Sequence, residues 1–354
     1  MRLHALEPES MTPVQALERI VHLLDRSFDQ TPRAKAFSRA LATVRATDPA
    51  ELVERAAAGT LVELDGIGDS SAKIVAEALA GGVPAYVTKL EGTTHVKVTP
   101  QGAAIRTLLK GDLHCHSTWS DGGASTEAMA RTAMALGHQY LVLTDHSPRL
   151  TIAHGLNRER LLAQLEELAE LNERLAPFRV LTGMEVDILE DGALDLDDDL
   201  LARLDIVVAS VHSKLRMERS PMTERMVLAA ANPHVDVLGH CTGRLIGRRP
   251  ASVFDADYVF AACAQFHTAV EINCRPERLD PPDELLAVAI DYGCWFSIDS
   301  DAHATGQLEW QPHGCDKAAA TGVPVERIIN TFEVDELLAW AGGPGGPGAP
   351  GGAG

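Results

Sequence analysis

The chain has 354 residues, enough for one large core with a small extra domain or for two medium domains. Its 45% hydrophobic and 23% charged content is that of an ordinary globular protein, with no run near the roughly 20 apolar residues of a membrane span. A net charge of −19 excludes gripping nucleic acid by bulk positive charge, so phosphate binding needs a local positive feature.

The start, MRLHALEPES, has no apolar core of the signal-peptide kind. The six cysteines, 115, 241, 263, 274, 294 and 315, form no CxxC pair and read as buried reduced thiols, so a cytoplasmic protein is expected.

Three capping residues followed by proline open the chain: Thr12-Pro13, Thr31-Pro32 and Asp48-Pro49. The first predicted helix carries Val14, Leu17, Ile20, Val21, Leu24 and Phe28 at helical spacing, and the second Phe37, Ala40, Leu41 and Val44. The stretch 61–79 follows and stops at Gly81-Gly82. These elements predict a small all-α domain over 12–90, with 91–110 as a linker.

From residue 111 short β-rich runs alternate with helical stretches near 125–137, 158–175, 222–232, 255–267 and 283–292. The runs are DLHCH, YLVLTDH, RVLTGMEVDIL, DIVVASVH, VDVLGH, AVEIN and CWFSIDSDAH. Repeated β-then-α units imply a parallel sheet, and seven strands predict a closed or nearly closed barrel over 111–338. The Gly/Pro-rich tail, 341–354, reads as disordered and without chemistry.

Strand residues i and i+2 share a face, so His114 and His116 present their imidazoles together while Cys115 faces away. By itself this pair is also compatible with hydrogen-bonded strand histidines. The other runs end on His146, Glu185, His212, His240, Asp301 and His303, and Asp121 follows the first pair. In a β/α barrel such ends meet on one rim. Nitrogen and oxygen ligands without cysteine suit zinc or manganese, and iron as well. Nine are too many for one ion and about right for three, with Glu185 the best candidate for a bridging carboxylate. Three divalent ions against three carboxylates leave the pocket positive, which suits a phosphate ester.

The motifs GDLHCHSTWSDG, VLTDHS, ASVHSKL, LGHCTGR, EINCRPERLD and SDAH resemble the PHP (polymerase and histidinol phosphatase) superfamily over about 111–335. Within it they are most similar to the PHP domain of bacterial family X DNA polymerases. The resemblance implies a distorted (β/α)7 barrel and metal-assisted attack of water on phosphorus. It also implies a distribution of ligands. His114, His116, Glu185 and Asp301 would hold one ion, while Glu185, His212 and His240 would hold a second. Asp121, His146 and His303 would hold a third. Through those ions Glu185, Asp301 and His303 are the expected catalytic residues. Lys214, Arg244 and Arg278 are candidates to clamp the phosphate, since guanidinium pairs well with it. His154 and His267 are the remaining histidines weighed as approaching the site.

Residues 12–90 resemble the N-terminal helical domain of the same polymerases. LDGIG, 64–68, resembles a helix-hairpin-helix, where Gly66 and Gly68 would let backbone N–H groups meet a DNA phosphate. Asp65 and Asp69 flank it and oppose phosphate. The family's Schiff-base lysine aligns with Ile74, and Lys73 sits about 100° around the helix, so lyase chemistry is not expected. The short stretch between the two domains has no room for a polymerase palm, so the chain is not expected to polymerise. The expected activity is phosphoester hydrolysis at nucleic-acid 3′ ends, as an exonuclease or end-processing enzyme. The alternative is a small-molecule phosphomonoesterase of the histidinol-phosphatase type, and the third reading is a non-enzymatic DNA-associated module.

Overall fold

The computed structural model describes residues 10–29 and 31–342, which divide after Val96 into two units. The first contains α1 (Pro13–Arg26), α2 (Pro32–Ala46), α3 (Pro49–Ala58), α4 (Asp69–Leu79) and α5 (Ala85–Thr93). Thr12 caps α1 in a reciprocal box with Gln15, and Asp48 accepts the Ala50 N–H at the start of α3. Thr31 does not cap α2 with its side chain. Instead its own N–H is donated to Asp29, which also pairs with Arg33. Leu17, Ile20 and Leu24 pack with Phe37, Val44, Ile74 and Val87 in one core, with Val14 and Val21 at its edge.

The second unit opens with α6 (Pro100–Arg106) and continues as β1 (Gly111–Cys115), α7 (Thr126–Ala135), β2 (Tyr140–Leu143), α8 (Arg158–Leu175) and β3 (Arg179–Asp187). Then come α9 (Asp198–Leu201), β4 (Ile206–Ser210), α10 (Arg219–Ala230), β5 (Val237–Leu238) and α11 (Ala256–Phe266). The unit ends with β6 (Ala269–Asn273), α12 (Asp283–Asp291), β7 (Phe296–Asp299), α13 (Gln311–Thr321) and α14 (Val334–Ala341). The seven strands are parallel and adjacent in chain order. Apolar residues of six strands, from Leu113 to Ala269, meet Ile329, Leu337 and Trp340 of the C-terminal segment in one cluster. Among the described residues no helix is long and apolar enough to cross a membrane.

Where β7 meets β1 the barrel closes largely through side chains. Asp299 accepts the Leu113 N–H and Asp112 accepts that of Ser300. Gln311 and Asn330 donate their amides to the carbonyls of Gly111 and Ile298. This satisfies backbone groups that a regular ladder would otherwise pair.

The stretch expected as a linker, 91–110, instead holds the end of α5 and all of α6. The reason is another capped start: Thr99 caps α6 ahead of Pro100, and its N–H and hydroxyl are donated to Asp316 of α13. The Gly/Pro tail lies outside the described residues apart from Ala341, the last residue of α14, and Gly342.

A Cβ at Gly102 would sit within 3.0 Å of the Asp316 backbone. Gly102→Val should therefore lower the stability of the barrel unit by about 1–3 kcal/mol in urea titration. An unchanged midpoint would show that α6 contributes nothing to this unit.

Candidate metal centre

Each strand except β6 delivers a histidine or carboxylate at its C-terminal end. His114 lies within β1 and His116 one residue past it; Glu185 lies within β3; His146, His212 and His240 follow β2, β4 and β5. Asp301 and His303 follow β7, and Asp121 comes from the loop between β1 and α7. The rings of His114 and His116 lie 5.2 Å apart despite a register shift between Asp112 and Cys115. Cys115 packs instead with Met129, Leu141 and Leu143.

All nine predicted ligands fall in four overlapping groups, two of which contain Glu185. Its Oε1 lies 2.9 Å from His240 Nε2 and 3.2 Å from His212 Nε2. Its Oε2 lies 3.0 Å from His146 Nδ1, 3.3 Å from His114 Nε2 and 3.6 Å from His116 Nε2. Ligand atoms of His116, Asp121, His146 and His303 fall within 4.8 Å of one another, as do those of His114, His116 and Asp301. The same holds for His114, Glu185 and His240, and for His146, Glu185 and His212. Asp301 adopts φ +53°, a conformation uncommon outside glycine that aspartate tolerates better than most residues.

The hydrogen bonding argues that cations belong here. Buried atoms with no hydrogen-bond partner include both oxygens of Glu185, both ring nitrogens of His116, His114 Nε2, His146 Nδ1 and His240 Nδ1. Unpaired buried polar atoms are rare and costly, and here they are imidazole nitrogens and carboxylate oxygens gathered in one cluster, atoms whose lone pairs can bind a cation. The charges tell the same story. Burial opposes ionisation of Glu185, yet His212, His114 and His146 outweigh it and hold its pKa well below the ordinary value. Burial likewise opposes the charge on His212, but Glu185 and Asp187 raise its pKa to about 9. Burial and the neighbouring His303 and His146 push His116 well down. By themselves these side chains balance the carboxylates with protons; divalent ions would replace those protons. The donor set therefore fits more than one ion, with Glu185 offering an oxygen to each side.

Some supporting residues escaped the sequence reading because they carry no distinctive spacing. Asp187 pairs with His212 Nδ1, and Glu271 with His114 Nδ1 at 2.6 Å. Asp145 binds Ser117, Ser120 and Gln164, fixing the loop between His116 and Asp121. Arg275 brings a guanidinium nitrogen to 3.4 Å from His303 Nδ1.

The three predicted phosphate residues separate. Arg278 reaches the centre: its Nε donates to Asp301 at 3.1 Å, and its Nη1 is buried without a partner. Arg244 instead donates to the carbonyls of Arg278 and Leu279, so it shapes the loop that carries Arg278. Lys214 is exposed, with φ +54°. His154 ends a turn of 3-10 helix and is exposed, and His267 packs between Trp295 and Trp340, so neither joins the cluster.

In the helical unit, the hairpin lies between α3 and α4. Gly66 takes φ +81°, and a Cβ there would come within 3.0 Å of Thr43, whose hydroxyl binds the Asp65 carbonyl. The Gly68 N–H is donated to Ser71 Oγ at 3.0 Å. Ile74 is a core residue and Lys73 is exposed, 3.8 Å from Glu77. A cleft of about 660 Å³ lined by Arg33, Phe37, Gly66, Lys73 and Tyr86 adjoins the hairpin.

A family model described as PHP domain matches residues 112–271. The chain is 41% identical over 232 residues to the DNA polymerase/3′-5′ exonuclease PolX of Bacillus subtilis (strain 168). That match covers 66% of this chain and 41% of the relative, so the chain spans less than half of that protein. A probable phosphatase of Thermoanaerobacter sp. (strain X514) is 29% identical over 233 residues, covering 62% of this chain and 89% of the relative. Among solved structures, histidinol phosphate phosphatase from Lactococcus lactis subsp. lactis Il1403, complexed with zinc, L-histidinol and phosphate, gives a TM-score of 0.42. Its identity is 18%, over 59% of this chain and 93% of that one. Among the described residues there is no polymerase palm. The barrel unit of this chain is a PHP domain, with the fold of the superfamily's metal-dependent phosphoesterases.

Proposed function

We propose that this chain is a metal-dependent phosphomonoesterase acting on small phosphate esters, of the histidinol-phosphatase type. The observation that carries this reading is how the ligands are shielded. Side chains of Asp121, His303 and His212 are 34%, 20% and 14% exposed, whereas those of Glu185, His240 and Asp301 are almost wholly buried. An opening on that side suits a terminal phosphate better than the middle of a polymer. The connection after β3 carries exposed Glu190, Asp191 and Asp198, which would repel a long polyanion, while its Asp197 and Asp199 are paired with Arg158. Relatives named as probable phosphatases are matched over 80–90% of their length by about the extent of the barrel, which supports the same reading.

Three ions, zinc or manganese with iron also admitted, would be held as the family resemblance distributes them. One set is His114, His116, Glu185 and Asp301; the next is Glu185, His212 and His240; the last is Asp121, His146 and His303. Bound there, they would supply Lewis-acid stabilisation and a water of lowered pKa. The protein's own part is to fix geometry and charge. Glu185 brings one oxygen to His212 and His240 and the other to His114 and His146. Arg278 aims an unpaired guanidinium nitrogen beside Asp301, where it would receive a phosphoryl oxygen. Arg275 adds positive charge beside His303.

A second reading, hydrolysis at nucleic-acid 3′ ends with the helical unit touching DNA, is favoured by the 41% identity to a protein named as a 3′-5′ exonuclease. A complete donor set disfavours the purely non-enzymatic module.

A substrate panel separates these readings. With Mn²⁺, wild type should release phosphate from small monoesters and His114→Ala should not; shortening of a 3′-labelled duplex without monoester turnover would favour the nuclease. Arg278→Gln should raise KM for a monoester by about tenfold, equivalent to one charge-assisted hydrogen bond, and an unchanged KM would remove Arg278 from phosphate binding. Chelation should lower the melting temperature, and Mn²⁺ or Zn²⁺ should restore it, because ligands that bind only the folded state stabilise it. A melting temperature indifferent to both would count against the metal centre.

A further inference from the structure

Of the seven strands, β6 alone supplies none of the nine ligands, yet its side chains touch three of the strand ends that do. Glu271 lies on β6 and is fully buried. Its Oε1 accepts the Nδ1–H of His114 at 2.6 Å, and its Oε2 accepts the backbone N–H of His240. Asn273, two residues along and so on the same face, donates its Nδ2 to Glu271 Oε2 and to Asp301 Oδ2, each at 3.2 Å. One carboxylate and one amide thus connect ligands from the C-terminal ends of β1, β5 and β7.

A neutral imidazole carries a single N–H. With that proton held toward Glu271, the lone pair of His114 is on Nε2, the atom 3.3 Å from Glu185 and without a hydrogen-bond partner. A carboxylate suits this position because both of its oxygens accept. A glutamine there would turn an NH₂ group toward either the His114 ring N–H or the His240 backbone N–H.

We infer that Glu271, assisted by Asn273, is a positioning residue for the metal centre, fixing the tautomer of His114 and the placement of His240 and Asp301. The inference rests on the metal-binding reading of the cluster and on no choice of substrate, so the test measures metal and not turnover. Mn²⁺ affinity of the full chain is measured by competition with a chelator, with metal content and the melting temperature of chelator-treated protein alongside. Glu271→Gln should weaken Mn²⁺ binding about 10- to 100-fold, while the chelated protein melts no lower than wild type. A purely structural role would give the reverse pattern, a lower melting temperature with unchanged affinity in the folded protein, and would overturn the inference. Should Glu271→Gln not fold, Asn273→Ala decides: severalfold weaker Mn²⁺ binding supports the inference, and wild-type affinity overturns it. A wild-type chain that takes up no Mn²⁺ would overturn both this inference and the metal-centre reading beneath it.

Discussion

A carboxylate buried among imidazoles is the constraint on which the rest of the site depends. Glu185 is 1% exposed, and neither of its oxygens has a hydrogen-bond partner. A bare buried charge of this kind is expensive, so the surrounding groups must compensate it. Five histidine rings from four strand ends approach those two oxygens. The parallel barrel is what makes this convergence available, because it brings the C-terminal ends of all its strands to one rim. The seam between β1 and β7 serves the same end, since it fixes His114 relative to Asp301.

Much of this was legible in the sequence, for reasons of period and position. The i, i+2 spacing of His114 and His116 survives a register shift, and histidines at the ends of β-runs translate into a common rim once the strands are parallel. The supporting residues were not legible. Glu271 sits in AVEIN, where one acid in an apolar strand looks like any buried polar residue, and only its partners on other strands reveal it. Asp187 and Asp145 are hidden the same way, next to stronger signals. Arg244 misleads in the opposite sense: a guanidinium beside a ligand run suggests phosphate, but backbone carbonyls in a tight loop take its donors first. The missed helix α6 carries a Thr-Pro start like those read correctly upstream, but it is only seven residues long and sits where a linker was expected.

The helical unit illustrates how one glycine pattern serves two purposes. Gly66 is required by its own turn, which packs on Thr43, and the Gly68 amide is already paired with Ser71. Those local demands account for the glycines without nucleic acid. Ile74 lies in the core of this unit, and Lys73 is on its surface beside Glu77. At the barrel, Arg275 and Arg278 keep positive charge close to the nine residues of the cluster.

Anomalous diffraction from crystals grown with Mn²⁺ would locate any ions held at Glu185. Separate peaks are expected on either side of the Glu185 carboxylate, one toward His212 and His240 and another toward His114 and His116. A single peak remote from Glu185, or none, would contradict that arrangement.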